Sequence, residues 1–127
     1  MKVKDIMKKA VTLDKDKTIK DAASLMSKKA IGSLIIIDKT KVIGIITERD
    51  VMKYLSKSNN LNEKVEKITS KKLISIEPHY SLEDAAEIMS ENKIKKLPVI
   101  KKGDLLGIIT ATDIIANAES VDDPFFF

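Results

Sequence analysis

Residues 11–51 align with residues 74–114 without a gap, and about fourteen of the 41 aligned pairs are identical. An internal duplication on this scale constrains the fold more than any composition figure, because whatever one copy forms the other must form too. A copy of about 50 residues buries too little apolar surface to be secure alone, and its helices and sheet need a second layer. The copies are therefore expected to be half-domains of one module, packed through their sheets about a pseudo-twofold axis, with a small-molecule groove between them. The identities fall in blocks: Asp21-Ala22-Ala23 on Asp84-Ala85-Ala86, Met26-Ser27 on Met89-Ser90, and Gly44-Ile45-Ile46-Thr47 on Gly107-Ile108-Ile109-Thr110, with Asp50 on Asp113.

Each copy reads as strand, helix, strand, strand, helix, an α/β (α+β) unit. Val11-Thr12-Leu13 and Ile74-Ser75-Ile76 alternate as short strands. Thr18 and Ser81 precede segments whose apolar residues recur at i, i+3 and i+4, predicting amphipathic helices. Leu34–Ile37 with Val42–Ile46, and Leu97–Ile100 with Leu105–Ile109, predict two hairpins, and a second helix follows Thr47 and Thr110. The Ser-, Asn- and Lys-rich stretch after Leu55 predicts a linker. The expected division is residues 1–58 for the first repeat, 59–64 for the linker, 65–118 for the second repeat and 119–127 for a tail. That tail ends in Phe125-Phe126-Phe127, an apolar cluster expected to dock on the fold or on a dimer partner.

Composition removes most chemistries. The chain has no cysteine and one histidine, His79, so one copy offers no thiolate, disulfide framework or multi-histidine metal site. No nucleophile–base pair or Walker-type loop is present, which predicts a non-enzyme with no catalytic or metal-ligating residues. The apolar runs are far shorter than the roughly 20 residues that span a bilayer, and no signal-peptide core follows the N-terminus. A cytoplasmic protein without membrane contact is expected. The net charge of +4 is unevenly spread, at +6 over residues 1–63 and −2 over the rest. The positive half leaves a basic nucleic-acid-binding accessory protein as the alternative function, although aromatic residues for stacking are few. The lysine pairs, Lys8-Lys9 among them, read as solvated charge near element ends, and His79 as an exposed turn residue.

The repeated Gly-apolar-apolar-Thr-x-x-Asp pattern admits two readings. A strand ending at Thr47 or Thr110 and running straight into a helix leaves free N–H groups for an anion. The hydroxyl can donate to a phosphate oxygen, and Asp50 or Asp113 can accept from two ribose hydroxyls. The other reading is a capping box, in which the two side chains satisfy backbone donors at a helix start. Thr18-x-x-Asp21 and Ser81-x-x-Asp84 have the same spacing, so spacing alone favours caps.

The order of elements, the Leu97-Pro98-Val99-Ile100 strand, the two Gly-led segments through Asp50 and Asp113, and the opening Val3-Lys4-Asp5-Ile6-Met7 resemble a tandem pair of cystathionine-β-synthase-type (CBS) domains, a Bateman module. The likeness spans about residues 1–118 and is of the stand-alone prokaryotic or archaeal type. It implies a regulatory, energy-sensing homodimer that binds AMP, ADP, ATP or a related compound such as S-adenosylmethionine in clefts between the repeats, and that modulates an unknown protein. Carried over residue by residue, it implies one site of Thr47, Arg49 and Asp50 with Ile74, Lys95, Lys96 and Pro98. The other combines Thr110, Thr112 and Asp113 with Val11, Gly32, Ser33 and Ile35. The basic side chains of the first imply a preference for phosphorylated ligands; their absence from the second implies weaker binding or a less anionic adenosyl compound.

Overall fold

Each hairpin forms because two apolar runs of strand length are joined by a short polar link, and everything else in a unit packs around that ladder. The computed structural model describes residues 1–118, so the Phe125-Phe126-Phe127 tail lies outside the described residues. In chain order the elements are α1 (Val3–Ile6), β1 (Thr12–Asp14), α2 (Ile19–Lys29), β2 (Ser33–Asp38), β3 (Lys41–Thr47), α3 (Glu48–Leu55), a 3-10 turn (Val65–Ile68), α4 (Leu82–Asn92), β4 (Lys96–Lys101), β5 (Asp104–Thr110) and α5 (Ala111–Ala116). They divide into two units: a first unit, Val11–Leu73, and a second in which Met1–Ala10 joins the chain from Ile74 onward.

In the first unit β2 pairs antiparallel with β3 from Ser33 opposite Thr47 to Asp38 opposite Lys41, with a register shift between Ile36 and Ile37, and β1 lies parallel to β2. The second unit repeats the hairpin from Lys96 opposite Thr110 to Lys101 opposite Asp104, with its shift between Val99 and Ile100. The expected third strand at Ile74–Ile76 is not formed in full; Ile76 makes one parallel bridge, to Val99. The cause is Pro98. In the first unit Ile35, the counterpart of Pro98, donates its N–H to the carbonyl of Val11 at 3.4 Å. Proline has no N–H to give Ile74, and the ladder begins one bond later, with Ile76 N donating to Pro98 O at 3.0 Å.

Thr18 and Ser81 cap α2 and α4 with complete capping boxes, and both helices end on a left-handed residue, Ala30 and Lys93, each at φ 55°. The helices lay Ile19, Ala22 and Met26 in one unit, and Leu82, Ala85 and Met89 in the other, against the hairpins. The first core adds Leu34, Ile36, Ile46, Val51 and Val65; the second adds Val3, Ile76, Leu97, Val99 and Ile109. Each of the valine, leucine, isoleucine and methionine side chains among these contributes about 1.5–3 kcal/mol by leaving water.

Val65 and Val3 show how the chain is interleaved. The sequence divides the repeats at 58 and 65, but each compact unit borrows its short leading segment from beyond that division. Residues 1–10 pack with the second copy, where Val3 N donates to Tyr80 O at 2.8 Å. The 3-10 turn packs with the first, where Val65 N donates to Lys17 O at 2.8 Å. Each leading segment then crosses the hairpin at its glycine. Ser70 and Ile45 exchange backbone hydrogen bonds at 2.9 and 3.0 Å, and Lys8 and Ile108 do so at 2.8 Å each way. A Cβ on Gly107 would stand 2.7 Å from the Lys8 carbonyl, and one on Gly44 would overlap the carbonyl of Ser70. The glycine of the repeated motif is there to let a backbone pass.

Candidate ligand site at two strand-to-helix corners

The candidate residues collect at one end of each hairpin. In the first unit Val11 lies just before β1, Gly32 just before β2, Ser33 opens β2 and Ile35 lies within it; Thr47 ends β3, and Arg49 and Asp50 lie in the first turn of α3. Ser33 is opposite Thr47, and Glu48 N donates to Gly32 O at 3.0 Å, so the corner is one hydrogen-bonded piece. In the second unit Lys95 precedes β4, Lys96 opens it and Pro98 is within it; Thr110 ends β5, and Thr112 and Asp113 lie on α5. Lys96 is opposite Thr110, and Ala111 N donates to Lys95 O at 2.9 Å. Ile74 stands in irregular chain before the Ile76 bridge and is exposed.

At the Asp50 corner the capping reading of Thr-x-x-Asp holds in full. Asp50 N donates to Thr47 Oγ1 at 3.2 Å, and the Asp50 carboxylate accepts through Oδ2 from the N–H and hydroxyl of Thr47 at 2.8 and 3.0 Å. One oxygen thus serves the helix start. Arg49 is exposed beside it. A cavity of about 230 Å³ is lined by Asp50, Lys53, Tyr54, Lys57 and Ile68. Sequence reasoning missed Lys53, which lies three residues after Asp50 on α3 and so on the same face, and Lys57, which follows the end of that helix.

The Asp113 corner is built differently. Asp113 N donates to Thr110 Oγ1 at 3.1 Å, but the reciprocal half of the box is missing. Instead Lys8 Nζ lies 2.7 Å from Asp113 Oδ1, while Oδ2 is buried without a hydrogen-bond partner. Asp113 is 6% exposed, the one charged side chain buried to this degree among the described residues. The Lys8 ammonium holds the carboxyl below its ordinary range; burial opposes this, and Thr110 assists Lys8. An acceptor left unpaired at this depth costs about 1–3 kcal/mol.

Two expectations change here. Lys8 is exposed, as expected of an end charge, but it is also the ion-pair partner of the buried aspartate, and the Asp113 corner is not without a cation. The signal in the sequence was the glycine repeated at 44 and 107, which marks where a backbone crosses and so which residues, Ser70 and Lys8, stand beside each corner. His79 is exposed in its turn, as expected.

The pattern of the CBS domain family matches residues 3–57 and 65–120. The CBS domain-containing protein YhcV of Bacillus subtilis is 32% identical over 120 residues, covering 93% of this chain and 86% of YhcV. Several other curated relatives are longer, and the chain spans only 22% to 60% of their length. Among solved structures, AcuB from Vibrio cholerae is 30% identical with a TM-score of 0.85, covering 97% of this chain and 93% of AcuB. The CBS domain pair of protein MJ0100, solved with 5′-methylthioadenosine and S-adenosyl-L-methionine, is 29% identical with a TM-score of 0.74, covering 91% and 94% of the two chains. CBS pairs are regulatory ligand-binding modules. With both matched segments carrying the same strand-to-helix corner, this chain belongs to the CBS domain family and holds two of its domains.

Proposed function

We propose that the chain is a regulatory module that binds AMP, ADP, ATP or a related adenosyl compound at its Thr-x-x-Asp corners and signals occupancy to a partner protein. The observation that carries this reading is the repeated corner itself. Twice a strand ends on threonine beside the opening of its neighbour strand, with an aspartate one turn into the following helix. At the first corner the cations Arg49, Lys53 and Lys57 suit a phosphate, and the half of the Asp50 carboxylate not given to Thr47 suits a ribose hydroxyl. The adenosyl ligands of the MJ0100 pair support the same chemical class. Exposed Met52, Leu55 and Ile115 support a homodimer.

Thermal-shift and calorimetric titrations test the reading. AMP at 100 times its dissociation constant should add about 2.7 kcal/mol of stability. Asp50→Ala should weaken AMP at least tenfold, whereas Asp84→Ala, which loses an equivalent cap at α4, should lower stability by about 1 kcal/mol and leave AMP binding intact. Equal binding by wild type and Asp50→Ala would overturn the assignment.

A further inference from the structure

The two corners differ at one position that the fold makes equivalent. Ser70 crosses Gly44 and Lys8 crosses Gly107, each exchanging two backbone hydrogen bonds with the residue after that glycine. Opposite Ser70, Asp50 closes a full capping box with Thr47. Opposite Lys8, Asp113 gives Oδ1 to the ammonium and leaves Oδ2 buried and unpaired. The Lys8 side chain is 69% exposed, so its ammonium remains in reach of solvent while the carboxylate it holds does not.

We propose that Lys8 is the specificity-determining residue of the Asp113 corner: it withholds one carboxylate oxygen from a ligand, so that a vicinal diol must displace the ammonium to be held by both oxygens. The proposal rests on the ribose-binding reading of the two aspartates. A single hydroxyl or N–H donor can take Oδ2 and leave the ion pair intact. A cis-diol needs both oxygens and competes with a charged partner at 2.7 Å. Among the described residues Asp50 is held by the neutral groups of Thr47 and by no ion pair, so a diol there competes with those neutral groups. Lys8 thereby makes two corners of one duplicated motif unequal.

Adenosine is the probe, since it carries the diol without a phosphate that Lys8 could attract. Calorimetric titration of the full chain should show one class of site lost in Asp50→Ala and a second, at least tenfold weaker, lost in Asp113→Ala. Lys8→Ser, which installs the residue found at the equivalent position 70, should tighten the second class at least tenfold; Lys8→Arg should leave it as in wild type. Ser70→Lys should weaken the first class by a similar factor. In ligand-free Lys8→Ser, the Asp113 carboxyl signal should titrate at higher pH than in wild type, which a change confined to packing elsewhere would not produce. Unchanged or weaker adenosine binding at the second corner of Lys8→Ser, with Asp50-dependent binding intact, would overturn the role of Lys8 alone. No adenosine binding by any variant would overturn the nucleoside reading and this proposal with it.

Discussion

Asp113 and Asp50 carry the same chemistry into different company, and the company of Asp113 decides how it responds to acid. Lys8 lowers the Asp113 carboxyl from its ordinary value near 3.9, so between the lowered and ordinary values the unfolded chain binds the proton and the folded chain does not. The resulting stabilisation is complete above the ordinary value and is lost as pH falls through the lowered one. Lys8→Met removes the leading cause and leaves burial, which raises the carboxyl instead. Urea titrations from pH 7 to pH 3 should find Lys8→Met about 2 kcal/mol less stable at pH 7, with the deficit shrinking on acidification. A constant deficit would mean that the Lys8 stem, not its charge, matters. The two threonine–aspartate pairs were legible in the sequence as either caps or ligand groups. Their actual state was not, because it depends on a residue more than a hundred positions upstream of Asp113. In the sequence Lys8 is one half of a lysine pair like several others.

The helices of the repeat were legible because their signals are local. Thr18 and Ser81, each followed by aspartate at the third position, set the starts of α2 and α4, and the 3.6-residue apolar spacing set the buried faces. The helix ends were less legible, since Ala30 and Lys93 take a left-handed backbone that neither residue advertises. Ala30→Gly removes the Cβ penalty there and should raise stability by about 0.5–1 kcal/mol, readable as a melting temperature higher by a few degrees. The same change at Ala22, buried inside α2, should lower it. The short α1 and the 3-10 turn escaped pattern reading because four residues carry no period. The strand expected at Ile74–Ile76 was undone by Pro98, more than twenty residues away, whose missing donor matters only once the pairing partner is known.

For the molecule as a whole, the duplication was plain in the sequence and the interleaving was not. Val3 and Val65 are fully buried, and nothing in the sequence pattern says against which copy. Two fragments of equal length separate the possibilities. Residues 11–73 contain the complete first core, from Ile19 to Val65, whereas residues 1–63 lack Val65 and carry a leading segment whose partners begin at Ile76. The 11–73 fragment should show greater helicity by circular dichroism and a higher urea midpoint, and comparable values for the two would contradict the division into units. The borrowed leader has a bearing on synthesis as well. Residues 1–10 are translated before the whole of the first unit and dock only on strands translated after it. During that interval a complete unit can close on the nascent chain while Val3, a central core residue of the other, waits in water; the chain's earliest residues are among the last to find their place.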